Sequence, residues 1–137
     1  MNLISLFENS RHIQEFEVGG TIFEEGTPGH VMFVILDGDV EVRVRHELID
    51  VLGPGEILGE MALIDTNARS ATAVARSKCR LALVDEHSFL FMVEETPLFA
   101  LHVMRTLVHR LRHTMGVPEG EPPLQLPGAR SATAPQS

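Results

Sequence analysis

The chain has 137 residues, with 19 acidic side chains against 11 Lys or Arg, for a formal net charge of -8. That length supports one domain with its own core, not two, and a hydrophobic share of 44% excludes a disordered chain. The longest apolar runs, such as Val31 to Leu36, fall far short of the roughly 20 residues of a membrane span, so none is expected.

The start, Met1-Asn2-Leu3-Ile4, has neither the charged leader nor the apolar core of a signal sequence. One cysteine, Cys79, allows no internal disulfide, so a reducing cytoplasm is the expected location. An acidic chain repels phosphate backbones, which weighs against autonomous nucleic-acid binding. The charge is unevenly spread. Residues 1–65 hold 13 acids against 3 bases, and residues 66–115 hold 4 acids against 7 bases. Local anion chemistry and ordinary surface variation both fit that shift.

In chain order, Leu3, Ile4, Leu6, Phe7 and Ile13 recur at roughly helical spacing, which predicts a short first helix ended by Gly19-Gly20. From about Thr21 to Asp85 the pattern becomes short strands punctuated by glycine. Thr21 to Phe23 precedes a turn at Glu25 to Gly29. Val31 to Leu36 reads as a buried strand, and Asp37-Gly38 as a tight hairpin. Val40, Val42 and Val44 alternate with Glu41, Arg43 and Arg45, so one face is packed and the other wet. Leu48 to Leu52, Ala71 to Ala75 and Arg80 to Val84 complete the set. Strands so short and regular predict a mainly β fold with flanking helices, an antiparallel β-roll of jelly-roll type. Asp85 or Ser88 can cap a helix through Phe89 to Val93. Pro97 can open another that runs to about Met115 and stops at Gly116-Val117-Pro118. The domain is therefore placed at 1–115, with a Pro-rich, disordered tail at 116–137.

The informative stretch runs from Gly55 to Ala73. Gly59 permits close backbone approach. Glu60-Met61-Ala62-Leu63 favours one helical turn, whose free N–H groups suit an anion. Arg69 follows nine residues after Glu60, after a polar loop. Arginine forks well onto phosphate, and Ser70 offers a hydroxyl beside it. A carboxylate and an arginine in one pocket suit a ligand with one anionic phosphate and one free hydroxyl, such as a 3′,5′-cyclic nucleotide. The bland alternative is a Glu60–Arg69 pair on a loop surface.

Gly59-Glu60-Met61-Ala62-Leu63 followed by Arg69-Ser70-Ala71 resembles the phosphate-binding cassette of the cyclic nucleotide-binding domain family. That family includes catabolite activator protein, the regulatory subunit of protein kinase A and cyclic nucleotide-gated channels. Phe23, Gly26, Gly29, Phe33, Val34, Ile35, Gly38, Val40, Glu41 and Val42 fit its strand and turn pattern, over about Leu6 to Met115. The resemblance implies that Glu60 holds the ribose 2′-OH and Arg69 the cyclic phosphate. It implies backbone or wall contacts from Gly59, Met61 and Ala62, and phosphate-side contacts from Ser70 and Ala71. Arg110 to Thr114 resembles the end of the long helix of the catabolite activator type, which implies that Thr114 meets an adenine and favours cAMP over cGMP. The serine that follows in that helix is Met115 here. The resemblance also implies a sensor that moves its last helix and catalyses nothing. A ligand-free scaffold of the same fold, a truncated transcription regulator and a cupin-like metal enzyme are the alternatives.

Leu101, Met104, Val108, Leu111 and Met115 fall at spacings of 3, 4, 3 and 4, a short coiled-coil-like seam that could join two copies. His102, His109 and His113 share a face without any carboxylate or cysteine, so no metal site is expected. Cys79 reads as a small core residue. No nucleophile-and-base set is evident, and no cofactor beyond the nucleotide ligand is expected. Only 22 residues follow Met115, and no helix-turn-helix is expected among them, so this chain is not expected to bind DNA.

Overall fold

The computed structural model describes residues 1–65 and 68–114, the side chain of Thr114 apart. Met115 and the 116–137 tail therefore lie outside the described residues. The chain divides into two units, Met1–Val103 and a second beginning at Met104. Among the described residues no helix is long and apolar enough to cross a membrane.

Helix α1 (Leu3–Phe7) is capped by the Asn2 side chain, which accepts from the Ser5 amide at 3.2 Å. It ends well before Ile13. That residue instead opens strand β1 (Ile13–Phe16), where it pairs with Ala82. The helical reading of Ile13 is therefore corrected. One apolar residue is compatible with either period, and sheet pairing decided it.

Seven further strands follow: β2 (Thr21–Phe23), β3 (Val31–Asp37), β4 (Val40–Val44), β5 (Glu47–Leu52), β6 (Ile57–Leu58), β7 (Thr72–Ala75) and β8 (Cys79–Asp85). They form two antiparallel sheets, ordered β1-β8-β3-β6 and β2-β7-β4-β5. Strands β1 and β6 are too short or too polar to stand out in the sequence. Because β3 and β4 lie in different sheets, Asp37-Gly38 is not a hairpin. It is the crossing point between sheets, with Gly38 at φ 91°. The hairpin proper joins β4 to β5 through Arg45 and His46, at φ 50° and 70°. The Arg43 guanidinium donates to the His46 carbonyl at 3.0 Å and holds this turn.

Between the sheets Phe33, Ile35 and Leu81 meet Val40, Ala73 and Ala75. Strand β3 is buried from Met32 to Leu36, on both faces, because α1 packs on it as well. That is why its sequence is a continuous apolar run and not an alternation. Cys79 is buried, as expected of a core residue, and burial raises its thiol pKa.

Strand β5 is an edge strand with Leu48, Ile49 and Val51 exposed. One amide within it and one just past its end are taken by carboxylates. Val51 N–H donates to Asp50 Oδ1 at 2.8 Å and Gly53 N–H to Glu56 Oε2 at 2.9 Å.

Three helices complete the described chain: α2 (Met61–Ile64), α3 (Glu86–Glu95) and α4 (Pro97–Thr114). Asp85 caps α3 by accepting from the Ser88 amide at 2.8 Å, and this bond lowers its carboxyl pKa. Pro97 sits at the first turn of α4, where its missing N–H costs nothing. Phe99 is fully buried, with its ring 5.7 Å from Phe7 and 5.5 Å from Phe89. It thus joins α1 and α3 to the start of α4. Phe99→Ala is expected to cost about 3–5 kcal/mol of stability, measured by urea unfolding. A loss below about 1 kcal/mol would mean that this aromatic junction does not hold the helices.

Candidate functional site

Arg69 is fixed first by its main chain. Its N–H donates to the Thr27 carbonyl at 2.8 Å, and its carbonyl accepts from Gly26 N–H at 2.9 Å. These two bonds tie the end of the cassette to the loop between β2 and β3. The side chain is then aimed inward and is only 8% exposed. Nη1 donates to the Gly59 carbonyl at 3.2 Å and Nη2 to the Val31 carbonyl at 2.9 Å. The guanidinium carbon lies 4.3 Å from the centroid of the Phe23 ring and 5.8 Å from that of Phe33. The Nε donor is buried and has no hydrogen-bond partner. Buried donors are almost always paired, so an unpaired one marks a place where another acceptor belongs.

Two glycines leave room for this side chain. A Cβ at Gly59, which sits at φ 75°, would lie 2.7 Å from Arg69 Nη1. A Cβ at Gly29 would overlap Nε and Cζ of the same guanidinium.

Glu60 is 1% exposed and is the other buried charged residue among those described. Burial holds the Arg69 guanidinium below the usual arginine pKa, while attraction from Glu60 pushes it back up. The surface-pair alternative is therefore excluded: both charges are in the interior. Glu60 also forms the N-cap of α2, without a hydrogen bond from its side chain to the helix.

The first turn of α2 differs from expectation in one respect. The amides of Ala62 and Leu63 close onto the carbonyls of Gly59 and Glu60, at 3.2 and 3.1 Å. They are occupied and do not stand free for an anion. The Gly59 carbonyl thus accepts from both Ala62 N–H and Arg69, linking the guanidinium to the cassette turn.

Of the other predicted site residues, Ala62 and Ala71 are buried while Met61 and Ser70 are exposed. Ser70 Oγ lies 4.0 Å from Met61 Sδ. Gly59, Glu60 and Arg69 come together as predicted. The Thr114 side chain lies outside the described residues. Sequence reasoning gave no role to Phe23, Gly29 or the Val31 carbonyl. Phe23 and Gly29 were visible only as parts of a strand and a turn, and the carbonyl of a residue carries no sequence signal.

Behind α2 lies an open depression of about 260 Å³, lined by His30, Ala62, Leu63, Asp85, Glu86 and His87. It separates the cassette turn from the junction of β8 and α3. Among the described residues no group of three His, Cys, Asp or Glu side chains is arranged to hold a metal ion.

Residues 13–96, more than half of the chain, match the cyclic nucleotide-binding domain. The chain belongs to that family. Its fold, two antiparallel sheets with flanking helices, is the β-roll of cyclic nucleotide-binding domains. A CRP-like cAMP-activated global transcriptional regulator of Mycobacterium tuberculosis is 28% identical over 105 residues, covering 73% of this chain and 47% of the regulator. The crystal structure of Thermus thermophilus catabolite activator protein superposes with a TM-score of 0.69 at 30% identity, covering 75% of this chain and 51% of that one. A structure from a cyclic-GMP-dependent pathway regulating bacterial phytopathogenesis gives a TM-score of 0.66 at 31% identity, covering 74% and 84%. The chain spans about half the length of the curated relatives it matches.

Glu60→Gln keeps the shape of the site and removes the charge that offsets Arg69. A stability loss of about 1–3 kcal/mol is expected, since the buried guanidinium then lacks its counter-charge. Urea unfolding of the two proteins side by side reads it. A midpoint unchanged by the substitution would show that Glu60 does not stabilise the cation.

Proposed function

We propose that this cyclic nucleotide-binding domain is a cAMP sensor that signals by moving its last helix and carries out no reaction. The observation that supports it is the unclaimed Nε donor of a buried arginine beside a buried carboxylate. A cyclic phosphodiester brings one negative charge and acceptor oxygens to that donor, in a site with little water to compete. Glu60 can accept from the single free ribose hydroxyl. The same two side chains that make the site costly without ligand become satisfied with it.

Movement follows from shared hydrogen bonds. An anion on Arg69 changes the guanidinium that shares the Gly59 carbonyl with Ala62 N–H. The first turn of α2 is thereby coupled to occupancy. The depression behind α2 gives that turn room to shift toward the β8–α3 junction, and α3 leads into α4. The ligand favours whichever arrangement binds it better, so the effect is a shift of population. The preference for cAMP rests on the resemblance at Thr114. Relatives named for each nucleotide are known, so the base is for experiment to assign. The exposure of Leu101, Met104, Val108 and Leu111 favours a second copy, or an effector protein, as the partner of this seam. Output through such a partner, and not through DNA binding by this chain, is the corresponding expectation.

Calorimetric titration with cAMP and with cGMP, for the wild type and for Arg69→Leu, tests the reading. The wild type is expected to bind cAMP more tightly than cGMP. Arg69→Leu is expected to weaken binding by about 100-fold or more, the usual scale for losing a buried charge-assisted contact. No heat with either nucleotide, from folded and nucleotide-free protein, would leave the ligand-free scaffold in its place.

A further inference from the structure

We propose that Phe23 is a positioning residue for ligand capture, and that its ring sets the plane in which Arg69 offers its free Nε–H. This rests on the nucleotide-binding reading above. Three observations carry it. The guanidinium carbon lies 4.3 Å from the Phe23 centroid, well inside cation–π range. Phe23 is itself stacked with Phe33, with centroids 5.8 Å apart and planes at 28°, and Phe33 lies beside it with its own centroid 5.8 Å from the guanidinium carbon, so the platform is braced from the side. The two Nη groups are held by carbonyls on separate segments, at Gly59 and Val31, which leaves Nε as the one guanidinium nitrogen without a hydrogen-bond partner.

An arginine side chain has four rotatable bonds, and fixing them is entropically costly. Two hydrogen bonds to Nη1 and Nη2 hold the fork end. They leave the guanidinium free to tilt about the line joining the two acceptors. A ring against its face removes that freedom, and Gly29 admits the side chain by lacking a Cβ that would overlap it. Preorganisation of this kind raises affinity without adding a contact to the ligand. Phe23 therefore does not touch the nucleotide in this account. It acts through Arg69.

The test compares Phe23→Leu, Phe23→Tyr and Phe16→Leu. Leucine keeps an apolar side chain but has no ring face. Tyrosine keeps the ring. Phe16 packs against the same core and is not among the rings over which the guanidinium lies, so its replacement reports packing loss alone. Two readouts are needed, namely nucleotide affinity by calorimetry and the NMR resonance of the Arg69 Nε–H in ligand-free protein. The ring-current shift of that proton reports the stack whether or not any ligand binds.

The expected result is a loss of about three- to tenfold in affinity for Phe23→Leu, within the range of a partly desolvated cation–π contact. Phe23→Tyr and Phe16→Leu should stay within about twofold of wild type, and the Nε–H resonance should move in Phe23→Leu alone. Wild-type affinity in folded Phe23→Leu would overturn the proposal. So would an equal loss in Phe16→Leu, or an Nε–H resonance that ignores Phe23→Leu. If the resonance moves as expected but the wild type binds neither nucleotide, the stack is real. The nucleotide reading has then failed, and the positioning role falls with it.

Discussion

A guanidinium taken out of water must find acceptors, a counter-charge and something to lie against, and at Arg69 all three come from different parts of the chain. Carbonyls of Gly59 and Val31 accept from its two ends, Phe23 lies along its face, and Glu60 supplies opposite charge. Removing one of them leaves a cation whose desolvation is less fully offset, at a cost on the order of 1–3 kcal/mol. The loop between β2 and β3, the end of β6 and the approach to β7 are therefore tied together at one charge. The fold and the site are the same set of interactions viewed from two sides.

In the proposed function that arrangement lets the domain respond to a ligand without any chemistry. The Gly59 carbonyl serves both the arginine and the first turn of α2, so neither can change alone. The turn itself is only four residues long and has no side-chain cap. A helix so short has little stability of its own and takes the conformation its neighbours impose. In the proposed mechanism this weakness is useful, because a small gain at Arg69 is enough to shift it.

Much of this was legible in the sequence. Gly59, Glu60 and Arg69 stood out because each residue type suits one task, and the structure brings them together. The long strands β3 and β8, the cap at Asp85 and the start of α4 at Pro97 carried strong local signals. What the sequence hid has a physical cause. Ile13 sits in a strand because β8 pairs with it, and no local pattern records that. Asp37-Gly38 has the residues of a tight hairpin, yet it connects two sheets, because which strands pair is decided by distant partners. The true hairpin uses Arg45 and His46, residues that rarely take positive φ, and is held by Arg43 and Glu25. The role of Phe23 depends on a distance across the core, which spacing along the chain does not encode.

The carboxylates along β5 bear on how this domain can assemble. An edge strand with three exposed apolar side chains would ordinarily be a template for another strand. Here Asp50 accepts from the Val51 amide within the strand and Glu56 from the Gly53 amide just past its end, so two carboxylates lie along that edge. Charged side chains at an edge strand discourage growth by extending the sheet. Under the proposed function, joining two molecules would fall to side chains on α4, where contacts can form and release without rebuilding a backbone ladder. A domain that exchanged partners as its ligand came and went, as the proposed function has it, would gain from an edge that resists irreversible pairing.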